Sequence, residues 1–329
     1  MTAEIPRADA TDSHALGVSL GPTLRQVCSG RLSEIEWFRA SWQRGAAATG
    51  FATWTTDAGD ARPAMVKLPV GPSEHSWTMR LGALDPDDWD SSPALALPTP
   101  RVFAAGEALG GYDLAWLVVE RFEGKPLSLD VSAENVSDLL KTVALFYTHA
   151  QRIRPVETPV SRTDWPELLD KSRIAIRDHA MADNQRWSNA VKAVQKRLSA
   201  LLAQWQARPI NVWCHGDLHL GNAMRRHHRC VLIDLALVHA GCWVEDAVYL
   251  ERQFWGHAKA IKPVKPIALL ARNCRAQGVD TAFDYSRVAD IRRVLMAACV
   301  PVFLGWEGSP EYVKAALETL ERASKKVLR

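Results

Sequence analysis

Between Val212 and Asp246 the chain reads VWCHGDLHLGNAMRRHHRCVLIDLALVHAGCWVED, which gathers His215, Asp217, His219, Asn222 and Asp234 into one short span. Ala223-Met224-Arg225 and Cys230 to Ile233 can pair as two strands across Arg226-His227-His228-Arg229, a charged turn. A hairpin closed in that way brings Asn222, just before its first strand, and Asp234, just after its second, to the same end. Two oxygen-bearing side chains there suit a hard cation such as Mg²⁺, which takes few protein ligands and completes its shell with phosphate oxygens and water. Asp217 lies in the loop that leads to Asn222. A carboxylate beside a metal-bound triphosphate can orient an acceptor hydroxyl and take its proton.

Lys67 supplies the missing positive charge. It sits among Met65, Val66 and Leu68 in an otherwise apolar run, so it must either turn to solvent or be held by an anion. The α and β phosphates of a nucleotide would compensate it.

These residues have to be carried by regular elements. IEWFRASW, FATWTTD and PAMVKLPV, separated by a Gly/Ala loop and an Asp-Ala-Gly-Asp turn, read as an antiparallel meander with Lys67 in its third strand. A helix is predicted from Ser73 to Leu84 and ended by Asp85-Pro86. RVFAAG and LAWLVVERF supply two further strands, and Gly124 with Pro126 marks a linker. From Ser132 the apolar period lengthens. Val136, Leu139, Leu140, Val143, Ala144 and Phe146 fall on one helical face, with Ser132 and Asn135 as start chemistry. Helical patterns recur at WPELLDKSRIAIRDHA, SNAVKAVQKRLSALLAQW, PIALLARNCRAQ and YSRVADIRRVLMAA, so the second half is mostly α.

Composition bounds the alternatives. With 329 residues, 47% of them apolar, the chain can bury one large or two ordinary cores, which excludes disorder. Forty Lys+Arg against 37 Asp+Glu leaves +3, so no nucleic-acid partner is implied. The six cysteines lack paired short spacings and read as reduced thiols, which points to the cytoplasm. The polar start MTAEIPRADATDSHALG is unlike a secretory leader and reads as a frayed tail. The longest apolar stretch, VLMAACVPVFLG, is too short to span a bilayer.

The loop His215-Gly216-Asp217-Leu218-His219-Leu220-Gly221-Asn222, followed by Leu232-Ile233-Asp234, resembles the H-G-D-x-x-x-x-N loop and metal-binding I-D of the aminoglycoside phosphotransferase and choline kinase family, small-molecule relatives of protein kinases. LPTPRVFAAG is similar to that family's approach to its fourth strand, and LVVERFEGKPL to its hinge. The resemblance covers roughly residues 35 to 255. It implies an α+β, bilobal protein-kinase-like fold: a flexible tail at 1–20, a nucleotide-binding lobe with a small antiparallel sheet and one helix at 21–122, and a larger, mostly helical catalytic lobe at 123–329.

The resemblance also implies roles. Asp217 is the expected catalytic carboxylate, Asn222 and Asp234 the Mg²⁺ ligands, and Lys67 the phosphate-binding lysine. His215 orders the loop rather than acting as a base, and Asp246 hydrogen-bonds and braces it. The hinge backbone around Val119, Glu120 and Phe122 would receive adenine, and Glu74 is the candidate partner of Lys67. The loop from Gly45 to Gly50 would lie over the phosphates, although it is not a G-x-G-x-x-G. Leu235 departs from the family's usual Trp or Phe, and Gly241-Cys242-Trp243 stands where Gly-Asp-Pro is frequent. Neither change removes a metal ligand.

The expected activity is transfer of the γ-phosphoryl group of Mg²⁺-ATP to a hydroxyl of a small molecule. Only LALVHAGCWVE separates Asp234 from Asp246, too little for a platform that cradles a peptide. Aminoglycoside, amino sugar, choline-like alcohol and nucleoside acceptors stay open, as do GTP for ATP and the oligomeric state. Glu245, Glu251, Asp164 and Glu307 are candidates to line a pocket for a cationic acceptor. The alternatives are a metal-dependent phosphoesterase, since G-D-L-H and G-N fragments occur in dinuclear hydrolases, and a nucleotide-binding protein without turnover.

Overall fold

A computed structural model describes residues 10–38, 47–84, 88–157, 163–178, 181–303 and 309–328, and within it the chain divides into two compact units, Met1–Pro126 with Asn222–Val238 and Leu127–Gly221 with His239–Arg329. In the first unit, helix α1 (Ala10–Val27) precedes a five-stranded antiparallel sheet of order β1-β2-β3-β5-β4, formed by β1 (Glu36–Phe38), β2 (Ala48–Thr55), β3 (Ala61–Leu68), β4 (Val102–Gly106) and β5 (Trp116–Glu120). Helix α2 (Pro72–Gly82) follows β3, and a single turn, α3 (Ser92–Leu95), precedes β4.

Strand alternation sorts this sheet into two faces. Ala64, Val66 and Leu68 of β3 turn with Trp116 and Val118 of β5 into a core that Leu24 of α1 and Cys28, just beyond the helix, close. Met65 and Lys67 point the other way, opposite Val119 and Leu117 of β5. Residues 10–20, expected as tail, thus belong to a helix with a packing task. Pro22 and two glycines lower its intrinsic propensity, and the contact with the sheet overrides that.

The hairpin β7 (Ala223–Arg226) and β8 (Arg229–Leu232) forms in the expected register, from Ala223↔Leu232 to Arg226↔Arg229, with His227 at φ +53° in the turn. It groups with the sheet because Leu232 N–H donates to Pro98 O and because Arg226 is not a solvated turn residue. Arg226, 4% exposed, donates from Nε and Nη2 to the two oxygens of Glu120, at 3.0 and 2.6 Å, and from Nη1 and Nη2 to the carbonyls of Leu97 and Thr99. Arg101 clamps the same carboxylate from its other side, at 2.8 and 3.1 Å. Burial alone would raise the Glu120 pKa, but the Arg226 and Arg101 hydrogen bonds and charges outweigh it and hold the carboxyl below its ordinary value.

In the second unit, α4 (Ala133–Ile153) starts with Ser132 accepting from the Asn135 N–H at 3.1 Å and buries the whole expected apolar face, from Val136 to Phe146. Helices α5 (Trp165–Asp178), α6 (Asn184–Lys196) and α7 (Leu198–Gln206) follow; the single long helix expected over α6 and α7 is broken at Arg197. Strand β6 (Val212–Cys214) pairs with β9 (His239–Gly241), and α8 (Trp243–Arg252), α9 (Pro266–Ala276), α10 (Tyr285–Ala298) and α11 (Pro310–Val327) complete the unit. Its large core joins Leu169, Trp187, Val191 and Leu201 to Val294, Leu295 and Leu317. No helix among the described residues is long and apolar enough to cross a membrane.

Removing one partner of a buried ion pair leaves the other charge uncompensated. Arg226→Met is therefore expected to lower unfolding free energy by about 3–5 kcal/mol in denaturant titrations. Because the Glu120 pKa is lowered on folding, its stabilisation is complete above the unfolded carboxylate value and fades as pH falls below it toward the folded value. In Glu120→Gln that part of the acid limb should be absent from the stability–pH curve; an unchanged limb would assign it elsewhere.

Candidate active site

In the second unit the chemistry-bearing loop leaves β6 and is held by α8. Pairing of Cys214 with His239 brings the start of α8 beside the loop. There the Asp246 carboxylate, 1% exposed, accepts from the backbone N–H groups of His215 and Gly216, at 2.8 and 2.9 Å, and from the Tyr147 hydroxyl of α4 at 2.8 Å. Gly216 takes φ +84°, which only glycine adopts without strain, so both amides can aim at one carboxylate. His215 is fully buried, and its Nδ1 accepts from the Asp217 N–H at 3.3 Å. These contacts fix the loop backbone from His215 up to Asp217.

The Asp217 side chain is held as well. Tyr249 of α8 donates its hydroxyl to Oδ1 at 2.6 Å, and Nε2 of His219 stands 3.5 Å from Oδ2. Since Nδ1 of His219 accepts from the Gly221 N–H at 3.0 Å, the neutral imidazole carries its proton on Nε2, toward Asp217. The sequence had offered His219 without a role and had passed over Tyr249. The signal for Tyr249 was its spacing: three residues beyond Asp246, it lies on the same helix face.

The first unit contributes the remaining candidates. Lys67 donates to Glu74, in the first turn of α2 and 8% exposed, so the strand lysine has its counter-ion on the face opposite the α1 core. At the open end of the hairpin, Ile233 N–H donates to Asn222 O at 3.0 Å, which places Asn222 opposite the residue that precedes Asp234. Asn222 is 9% exposed; Asp234 is exposed and held at φ +63°. An amide oxygen and a carboxylate form a hard donor set that fits Mg²⁺ rather than a thiophilic metal.

Other expected contributors are placed differently. Gly50 is not in a phosphate loop: it lies within β2 opposite Val66, on the core face away from Lys67. A Cβ there would come within 2.4 Å of Ile35 Cγ2, so its smallness serves packing. Gly45 lies outside the described residues. At the hinge, the Glu120 and Arg121 N–H groups already donate to Arg101 O and Pro63 O, while the Glu120 side chain is enclosed by its two arginines.

The sequence matches the model of the phosphotransferase enzyme family over residues 54–291. The chain belongs to this family. It is a phosphotransferase, and its α+β fold is the protein-kinase-like fold. Among solved structures it is similar to an amicoumacin kinase in complex with AMP-PNP, Ca²⁺ and amicoumacin, at 10% identity and TM-score 0.55, covering 95% of this chain and 96% of that one. An aminoglycoside phosphotransferase of Alicyclobacillus acidocaldarius gives 16% identity and TM-score 0.51 over 92% of each chain. A choline kinase of Cryptosporidium parvum gives 10% and 0.50 over 97% and 95%. No curated protein matches the sequence.

Within this phosphotransferase, the acids considered for a cationic acceptor are engaged elsewhere. Glu245 accepts from the Cys242 N–H and pairs with Arg208 at 2.9 Å; burial would raise its pKa, but His239, Arg292 and Arg208 hold it at about 2. Glu251 is paired with Arg293 at 2.6 Å, and Asp164 accepts from the Glu167 N–H near the start of α5. Glu307 lies outside the described residues. Among the described residues, the group with metal-ligand spacing is Cys214, His239 and Glu245, which includes none of Asp217, Asn222 and Asp234. With Glu245 bound to a guanidinium, it does not supply the ligands that a dinuclear hydrolase needs.

An isosteric amide cannot accept all the hydrogen bonds that the buried carboxylate receives. Asp246→Asn should lose about 2–3 kcal/mol of stability and let the His215 and Gly216 amides exchange with deuterium about tenfold faster or more. Unchanged exchange would show that the loop is braced by something else.

Proposed function

We propose that the protein transfers the γ-phosphoryl group of Mg²⁺-ATP to a hydroxyl of a small molecule. The observation that carries this reading is that one family match, residues 54–291, contains Lys67, Glu74, Asp217, Asn222, Asp234 and Asp246 together. Asn222 and Asp234 would hold the metal ion, which when bound neutralises phosphate charge during transfer.

Lys67, positioned by Glu74, would bind phosphate oxygens. A lysine with a counter-ion in place avoids leaving its partly buried ammonium uncompensated when the nucleotide departs. With the N–H groups of Glu120 and Arg121 occupied, the Phe122 backbone is the next hinge position to meet a base. Asp217 would accept the proton of the acceptor hydroxyl as its oxygen attacks phosphorus, and its rigid support keeps that geometry through the step. The complex of the similar amicoumacin kinase with AMP-PNP, Ca²⁺ and amicoumacin supports a nucleotide, a divalent ion and a small acceptor.

The test is ADP release with Mg²⁺-ATP, and with Mg²⁺-GTP in parallel, against a panel of hydroxylated amines, sugars and nucleosides. Asp217→Asn should bind ATP within about twofold of wild type while kcat falls by at least about 10³-fold. Asp234→Ala should lose metal-dependent nucleotide binding altogether in calorimetry. Turnover by Asp217→Asn at the wild-type rate would remove Asp217 from the role of base.

A further inference from the structure

Two adjacent arginines of α10 are treated differently by their surroundings. Arg293 has its guanidinium fully engaged, with Nε and Nη2 donating to Glu251 at 2.7 and 2.6 Å and Nη1 to Asp290 at 2.7 Å. Arg292 forms no hydrogen bond or ion pair among the described residues, and its Nε is buried without an acceptor. Its guanidinium carbon stands 5.2 Å from the ring centroid of Trp165 on α5 and 5.2 Å from that of Trp205 on α7. Indole rings attract a cation but give its N–H donors no oxygen. The residue as a whole stays partly exposed, within reach of solutes.

The carboxylate in electrostatic range is already engaged. Glu245 accepts from Arg208 at 2.9 Å and from the Cys242 N–H at 3.0 Å, and Arg208 lies over the ring of the same Trp205 at 3.9 Å. Burial first, and then repulsion from Arg208 and Arg252, pull the Arg292 pKa down against the attraction of Glu245. An arginine stays protonated at neutral pH all the same, so two guanidinium groups draw on the Glu245 carboxylate. Local electrostatics here oppose folding, a conflict expected where a ligand completes the set of charges.

We propose that the Arg292 guanidinium binds an anionic group, carboxylate or phosphate, carried by the hydroxylated acceptor. The inference rests on the phosphotransfer reading of Asp217 given above. Helix α8 joins the two ends: Glu245, Tyr249 and Arg252 recur at i, i+4 and i+7 on one face, where Tyr249 donates to Asp217 and Glu245 attracts Arg292. From Tyr249 to Glu245 the helix rises roughly 6 Å, a span that a hydroxy acid or a sugar phosphate covers. The planar fork of Arg292 can meet an oxyanion with two parallel N–H donors, and the apolar indoles beside it strengthen that contact. An acceptor bearing only amines would be repelled at the same place.

The test extends the ADP-release panel with matched acceptors, D-gluconate beside D-glucose and ribose 5-phosphate beside ribose, so that carboxylate and phosphate are read separately. In wild type the anionic member of at least one pair is expected to exceed its neutral counterpart about 10–100-fold in kcat/KM, and in Arg292→Met that ratio should fall to about one, with nucleotide KM and melting temperature at wild-type values. Arg292→Lys, which keeps the charge without the fork, should retain part of the preference and carries the comparison if Arg292→Met does not fold. Sulfate titrated calorimetrically into protein saturated with Mg²⁺-AMP-PNP should bind about tenfold more weakly, or less tightly still, to Arg292→Met. A best acceptor that is neutral or cationic, an anion preference that survives in Arg292→Met, or equal sulfate affinity in both proteins would overturn the proposal. A lower melting temperature with every KM raised alike would show a merely structural arginine and overturn it too. Silence of the whole panel would count against phosphotransfer itself, and the sulfate titration, which needs no turnover, would then decide the anion site.

Discussion

The geometry of the candidate base depends on one buried carboxylate. Asp246 is nearly inaccessible and receives hydrogen bonds from two successive loop amides and a tyrosine hydroxyl. An ionised group at that depth is tolerated only because each of those donors faces it. The dependence runs both ways: without the left-handed turn at Gly216 the carboxylate would lose its backbone donors, and without the carboxylate the amides would be orphaned. Such mutual satisfaction makes the loop nearly all-or-none, which is what a proton acceptor needs from its mounting.

The first unit solves a similar problem with charged donors in place of neutral ones. Glu120 is enclosed by Arg101 and Arg226, and Arg226 also reaches the carbonyls before β4. A buried pair of this kind is often no more stabilising than well-packed apolar side chains of the same volume. Its contribution is specification. Bidentate guanidinium–carboxylate geometry admits one register, so the hairpin that bears Asn222 and Asp234 is indexed to the last residue of β5. The strand order and the loop chemistry are thereby tied without a long connecting segment.

Much of this was legible in the chain and some was not, for identifiable reasons. The strands around Lys67 and the face of α4 announce themselves through period, and the hairpin register follows from which residues flank its charged turn. The helix α1 escaped because its polar, Gly- and Pro-bearing sequence is helical only against the sheet. Gly50 was misread because a glycine near a strand looks the same whether it frees a loop or lets a neighbouring side chain pass; the Ile35 contact decides it. Arg226 looked like turn chemistry since nothing local reveals that Glu120, over a hundred positions earlier, waits for it. Side-chain pairing across the chain is a tertiary fact, and a single sequence does not encode it in any local pattern.

That limit bears on acceptor recognition. Acids scattered through the helical half suggested a cationic acceptor, yet Glu245 and Glu251 are each bound to an arginine, and a neutralised carboxylate attracts a distant amine weakly. A phenol and an imidazole meet the Asp217 carboxylate, with a guanidinium behind the phenol. Hydrogen-bond donors and a nearby cation favour the ionised form of a carboxylate, the form able to accept a proton. Glu245 and Glu251 are thus spent on arginines, and what meets Asp217 is a set of hydrogen-bonding groups.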